Sequence, residues 1–207
     1  MDSPVLTRDS FRAGVRELAS RDPDIARIVE RIGTPVWTVR PATFSSLLYI
    51  ILEQQVSLAS AKATYEKLNA ELPSLLPQDV VSVSDALYRE LGVSRQKTRY
   101  LKLAAQAVLD DSLPLARLAV MSDERVRALM TQIPGIGNWT ADVFLMSALK
   151  RADLWPIGDL ALVKAVVDVK GMAPKPDKKL LEALGEPYRP FRSIATRVYW
   201  HHYLNQE

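Results

Sequence analysis

The residue types narrow the chemistry before any element is placed. There is no cysteine, which excludes disulfides, thiol nucleophiles and cysteine-held iron–sulfur clusters. The two histidines, His201 and His202, are adjacent. Neighbours on a helix diverge by about 100°, so these two do not share a metal, and a surface or helix-end position is expected. Two patterns remain. In Ile133-Pro134-Gly135-Ile136-Gly137-Asn138, two glycines stand ahead of an apolar run. Glycine permits positive φ and close backbone approach, and a helix starting behind it presents N–H groups that suit phosphate oxygens. The same turn also serves as an ordinary helix–helix connection. Gly158-Asp159 precedes Leu160, Leu162, Val163 and Val166. Asp159 therefore suits a helix N-cap. Asp153, in a loop, and Asp168, inside the helix, are the weaker carboxylate candidates.

The elements that would position these residues read as helices. Residues 44–55 are apolar around most of the circumference (Phe44, Leu47, Leu48, Ile50, Ile51, Leu52), which predicts a central buried helix. Leu58, Ala61, Tyr65, Leu68 and Leu72 step by three and four through the next, which Pro73 and Pro77 are expected to end. Ser84, Ser94 and Ser122 suit the caps of three more. The helix after Ser94 carries Arg95, Arg99 and Lys102 at helical spacing. They read either as a solvated face or as a surface for phosphates. Residues 36–39 are the nearest approach to a strand, too short to build a sheet.

With 207 residues, 48% of them apolar, the chain can bury a core. Its net charge of +3 is compatible with nucleic acid without requiring it. Residues 1–7 show no basic stretch leading into an apolar run, and the longest strongly apolar run, residues 47–52, is too short to span a bilayer. A soluble intracellular protein is expected, cytoplasmic in a bacterium or nuclear in a eukaryote.

The whole string Ile133-Pro134-Gly135-Ile136-Gly137-Asn138-Trp139-Thr140-Ala141 resembles the hairpin of the helix-hairpin-helix DNA glycosylase superfamily. Its tryptophan is typical of the alkylbase (3-methyladenine) branch. Ile51-Leu52-Glu53-Gln54-Gln55-Val56-Ser57 is similar to the segment that enters DNA at the lesion. Gly92-Val93-Ser94 with Lys97, Gly158-Asp159-Leu160, and Pro190-Phe191-Arg192-Ser193 with Trp200 continue the match in order. Where the family often has a bulky aliphatic wedge, this chain has Gln55, and no counterpart is expected of the β-rich N-terminal domain found in the best-known bacterial member.

The resemblance implies an all-α, two-lobed fold with a DNA-binding cleft. Residues 44–150 would form the hairpin lobe, and 1–43 plus 151–207 the other. It implies a monomer acting on damaged double-stranded DNA, away from membranes, excising an alkylated base by flipping it out and leaving an abasic site. Asp159 would be the catalytic carboxylate, stabilising the developing sugar cation and orienting water. Trp139 and Trp200 would line the base pocket and select a cationic purine by cation–π stacking, unless they are core residues. Trp200 stands about 180° around its helix from Phe191, away from the Phe191/Ile194/Val198 stripe; Tyr199 and Tyr203 read as structural. Gln54, Gln55, Gly135, Ile136, Gly137, Asn138 and Thr140 would meet DNA. Carbonyls of Thr131, Ile133 and Ile136 would hold a sodium or potassium ion, and no other cofactor is expected. Lyase members carry a lysine two residues after the second hairpin glycine, where this chain has Trp139, so a monofunctional enzyme is implied. Uracil, hypoxanthine or oxidised purine as substrate, and a non-catalytic DNA-binding module, stay open; Asp159 and Trp200 argue against the module.

Overall fold

The computed structural model describes residues 4–72, 74–173 and 175–206. Among these the chain is helical, with no strand and one isolated antiparallel bridge, Val5 to Arg151. In chain order the helices are α1 (Arg8–Arg21), α2 (Pro23–Ile32), α3 (Phe44–Glu53), α4 (Leu58–Glu71), α5 (Pro77–Ser82), α6 (Asp85–Glu90), α7 (Arg95–Leu109), α8 (Asp123–Met130), α9 (Asn138–Ser147), α10 (Leu160–Val169), α11 (Lys178–Gly185) and α12 (Arg192–Leu204). The all-α expectation is met. The chain forms two compact units, one of Met1–Val39 with Leu145–Glu207 and one of Arg40–Phe144.

In the first unit, local signals set the helix starts. Thr7 and Ser10 form a capping box at α1. Asp22 accepts the Asp24 and Ile25 amides ahead of α2, with Pro23 in the first turn, where its missing N–H costs nothing. Asp159 and Asp177 cap α10 and α11. The apolar faces then meet. Phe11, Val15 and Leu18 of α1, Ile25 and Ile28 of α2, and Leu162, Val163 and Val166 of α10 are buried with Ile194, Ala195, Val198 and Tyr199 of α12. Helix α12 packs against α1, α2 and α10, so it is the element around which the unit is built. Each fully buried large apolar side chain contributes roughly 1.5–3 kcal/mol. The Tyr188 and Tyr199 hydroxyls satisfy one another at 2.8 Å, and burial pushes both phenols above their ordinary range.

In the second unit, α3 is buried on nearly every side, as its composition predicts. It ends at Glu53 rather than Gln55, because Gln54 already leaves the helix with ψ of 125° and Gln55 follows with a left-handed φ of 56°. Helices α4 and α7 pack on α3, and α5 and α6 on α7. Ser57, Ser84, Ser94 and Ser122 each accept an amide at a helix start. Pro73 lies outside the described residues. Pro77 does not end α4; it opens α5, at the position that tolerates proline best.

One close approach in the first unit gives a test. A Cβ on Gly185 would meet the Trp155 ring at 2.6–2.7 Å, and that ring is held by its N–H bond to the Leu181 carbonyl (2.8 Å). Gly185→Ala should destabilise the protein by about 1–3 kcal/mol, measured by urea unfolding. An unchanged unfolding midpoint would show that the ring yields freely.

Candidate functional site

Asp159 sits at the start of α10 and is 7% exposed. Its Oδ1 accepts the Leu162 amide at 2.7 Å and the Trp200 indole N–H at 2.9 Å. The first bond is the cap that the local sequence predicts. The second brings a residue of α12 onto the same oxygen. Trp200 is half-buried at the edge of the core. Two donors on one oxygen fix the orientation of the carboxylate, and the neighbouring Leu160 is 68% exposed. The result is an oriented, nearly buried carboxylate beside an indole. It can stabilise a cation and receive a proton from water.

The weaker carboxylate candidates are engaged otherwise. Asp153 pairs with Arg189 (2.6 Å) and Arg192 (2.7 Å). Asp168 faces His202 at 2.6 Å. Both histidines lie in the last turn of α12, the helix-end position expected of them, but His202 is not at the surface: it is buried, with Asp168 and Arg31 satisfying both of its ring nitrogens. His201 is half-buried against the Ile32 carbonyl (3.1 Å).

The glycine turn belongs to the second unit and joins α8 to α9. Ile133 and Ile136 are buried, and the Ile136 amide donates to the Ile133 carbonyl at 3.0 Å. Arg127 of α8 gives two N–H bonds to Asp142 of α9, at 2.7 and 3.0 Å, and staples the arms. Gly135 has φ of 92°, and a Cβ there would lie 2.1 Å from the Tyr100 ring. Gly137 uses neither freedom: its φ is not positive, and a Cβ would meet nothing within 4 Å. It is exposed, and its carbonyl accepts the Ala141 amide (3.1 Å). With no side chain of its own, it supplies no cap to the first amides of α9.

Gln54 joins this group. Its amide Nε2 donates to the Gly135 carbonyl and to Thr140 Oγ1, both at 2.9 Å. Gln55 beside it is exposed in the left-handed conformation, with Val56 and Leu58 also exposed. Asn138 is exposed and Trp139 half-buried in the first turn of α9. The structure thus gathers Gln54, Gly135 and Thr140 in one place and Asp159 with Trp200 in another.

Sequence reasoning missed Tyr100, and it named Lys97 within the Gly92-Val93-Ser94 motif without its contact. Tyr100 covers Gly135, and Lys97 Nζ donates to the Leu52 carbonyl at 2.6 Å, at the open C-terminus of α3. Burial holds the Lys97 ammonium below the ordinary lysine range. The signal for both was their place on α7, beside an exposed basic face. In that face Arg95 and Arg99 are exposed, while Lys102 is paired with Asp85 (2.6 Å) and lies over the Tyr88 ring.

Comparison with known proteins follows the same lines. The family profile described as HhH-GPD superfamily base excision DNA repair protein matches residues 48–190. The alkylbase DNA glycosidase-like protein mag2 of Schizosaccharomyces pombe is 25% identical over 205 residues, covering 94% of this chain and 95% of its own. The crystal structure of DNA-3-methyladenine glycosidase from Bacillus halodurans superposes with a TM-score of 0.76 at 28% identity, over 93% of this chain and 89% of that one. The Schizosaccharomyces pombe 3-methyladenine DNA glycosylase Mag1, solved with abasic DNA, shares the fold at a TM-score of 0.84 and 23% identity, covering 91% and 95% of the two chains.

The hairpin geometry predicts its own weak point. Gln54→Leu removes both bonds to the turn, which should cost about 1–3 kcal/mol. Hydrogen exchange should quicken at the amides of residues 133–141 while α4 and α5 stay protected. Unchanged exchange in the turn would show that Gln54 does not hold it.

Proposed function

The chain belongs to the HhH-GPD superfamily of base excision DNA repair proteins, and on that footing we propose that it is a monofunctional DNA glycosylase for alkylated purines of the 3-methyladenine and 7-methylguanine type. The observation that carries this reading is the Asp159–Trp200 pair, a nearly buried carboxylate held against an indole. The names of mag2 and of the Bacillus halodurans glycosidase support the substrate class.

In this reading the hairpin and the exposed cations of α7 hold the phosphate backbone of duplex DNA, and the damaged nucleotide leaves the stack at a cost of a few kcal/mol. Trp200 favours a positively charged base through its ring. An alkylated purine already carries the positive charge. When the bond from the sugar C1′ to the base nitrogen breaks, the electron pair leaves with the base, which departs neutral without a general acid. The charge passes to the sugar, where Asp159 stabilises it. Water adds to C1′ and gives a proton to the carboxylate, leaving an abasic site. The protein acts as a monomer in this scheme. A sodium or potassium ion also belongs to the proposal. The carbonyls of Thr131, Ile133 and Ile136 would hold it, being the oxygen donors such ions take, and it would add positive charge for a phosphate.

Two experiments test the scheme. Asp159→Asn keeps an oxygen for both N–H donors, so the protein should fold and bind damaged duplex normally. Single-turnover release of 3-methyladenine should fall on the order of 100- to 1,000-fold. Near-wild-type release by this variant, or release by wild type from uracil or 8-oxoguanine duplexes but not methylated ones, contradicts the proposal. Second, borohydride added during turnover should trap no protein–DNA adduct, because an indole at Trp139 forms no Schiff base. An adduct abolished by replacing one particular lysine would make the enzyme a lyase.

A further inference from the structure

Helix α12 grips α10 at both ends. Trp200 meets Asp159 at the N-terminus. His202 meets Asp168 in the last turn, where Nε2 and Oδ2 are 2.6 Å apart. The other ring nitrogen, Nδ1, lies 2.8 Å from Nη2 of Arg31, in the last turn of α2. A guanidinium has donors only, so Nδ1 is the acceptor and Nε2 carries the proton that Asp168 accepts. The imidazole is thus fixed in tautomer and rotation, with its acceptor toward α2 and its donor toward α10. Gln206 adds a second donor to Asp168 (3.1 Å).

The local sequence does not favour this arrangement. An aspartate in the last turn of a helix faces the negative end of the helix dipole. The bond from His202 offsets that, and it holds the Asp168 carboxyl below the ordinary carboxylate range. A residue that violates a local rule and needs another helix to satisfy it calls for a reason.

The rest of the α10–α12 contact supplies one. Apart from Lys164 Nζ, which lies 5.8 Å from the centroid of the Tyr203 ring, it draws on the buried apolar residues Leu162, Val163, Ala165 and Val166 of α10 and Ile194, Ala195, Val198 and Tyr199 of α12. Apolar contact is non-directional, and it tolerates small slides of one helix along the other. A reacting carboxylate does not tolerate them: a misplacement of about 1 Å costs on the order of 100-fold in rate. Directional bonds must therefore set the register, and His202 supplies them at the end of α10 remote from Asp159.

We propose that the Arg31–His202–Asp168 chain is a positioning device, which holds α10 against α12 so that Asp159 Oδ1 meets the Trp200 indole N–H. The functional consequence rests on reading Asp159 as the catalytic carboxylate; the structural one does not. His202 is a positioning residue and touches no substrate.

The test uses the full chain with His202→Phe, which fills the space without the bonds, and His202→Gln, whose amide offers both a donor group and an acceptor group. The Trp200 indole N–H resonance is assigned with Trp200→Phe. In His202→Phe this resonance should move away from its hydrogen-bonded position. Single-turnover release from methylated duplex should fall about 10- to 100-fold, with duplex affinity nearly unchanged. His202→Gln should restore both signals. Asp168→Ala carries the same test if His202→Phe does not fold, because the Asp168 side chain is 58% exposed. An unmoved Trp200 resonance in a folded variant overturns the proposal, as does His202→Gln behaving like His202→Phe. The resonance is read without activity. A wild type that releases no base would overturn the glycosylase reading and leave the positioning role to be decided by the spectrum.

Discussion

Asp159 Oδ1 accepts two hydrogen bonds of different origin, one from the Leu162 amide and one from the Trp200 indole. The first belongs to the helix. It satisfies one of the amides that every helix start leaves open. The second belongs to the tertiary structure and requires α12 to lie in one position against α10. The same oxygen is therefore a stability element and a site element. Most of the first unit can be understood as what keeps that coincidence in place: the α1, α2 and α10 faces closed around α12, the Tyr188–Tyr199 pair beneath, and the polar chain through His202 at the far end.

The hairpin of the second unit follows a related logic with backbone in place of carboxylate. Its turn must carry a left-handed residue with an aromatic ring lying directly on it, which leaves glycine as the residue for position 135. The turn is then pinned from outside by Gln54 and braced at its arms by Arg127 and Asp142. Each of these bonds is worth about 0.5–1.5 kcal/mol in stability. Their larger effect is geometric, since they fix the direction in which the turn's backbone groups point.

Charge is distributed in keeping with this. Several arginines are occupied in holding the protein together: Arg40 against Glu53, Arg127 against Asp142, Arg189 and Arg192 around Asp153, and Arg31 at His202. The exposed Arg95 and Arg99 stand on α7, the helix that also delivers Tyr100 to the turn and Lys97 to the end of α3. The basic stripe read from spacing thus divides, with Lys102 structural and the two arginines facing solvent.

The amino-acid sequence by itself determined the helical class, the buried character of α3, the caps at Ser84, Ser94, Ser122 and Asp159, and the special conformation at Gly135. These rest on contacts between residues a few positions apart, so their geometry follows from helix periodicity alone. Only the tertiary structure decided that Trp200 bonds to Asp159, that Gln54 holds the hairpin, that Tyr100 covers its turn, that Lys97 closes the end of α3, and that His202 is buried between Arg31 and Asp168. Each of those joins residues from separate segments of the chain. Whether two such side chains meet depends on how the helices pack and turn against each other, and spacing along one helix carries no record of that.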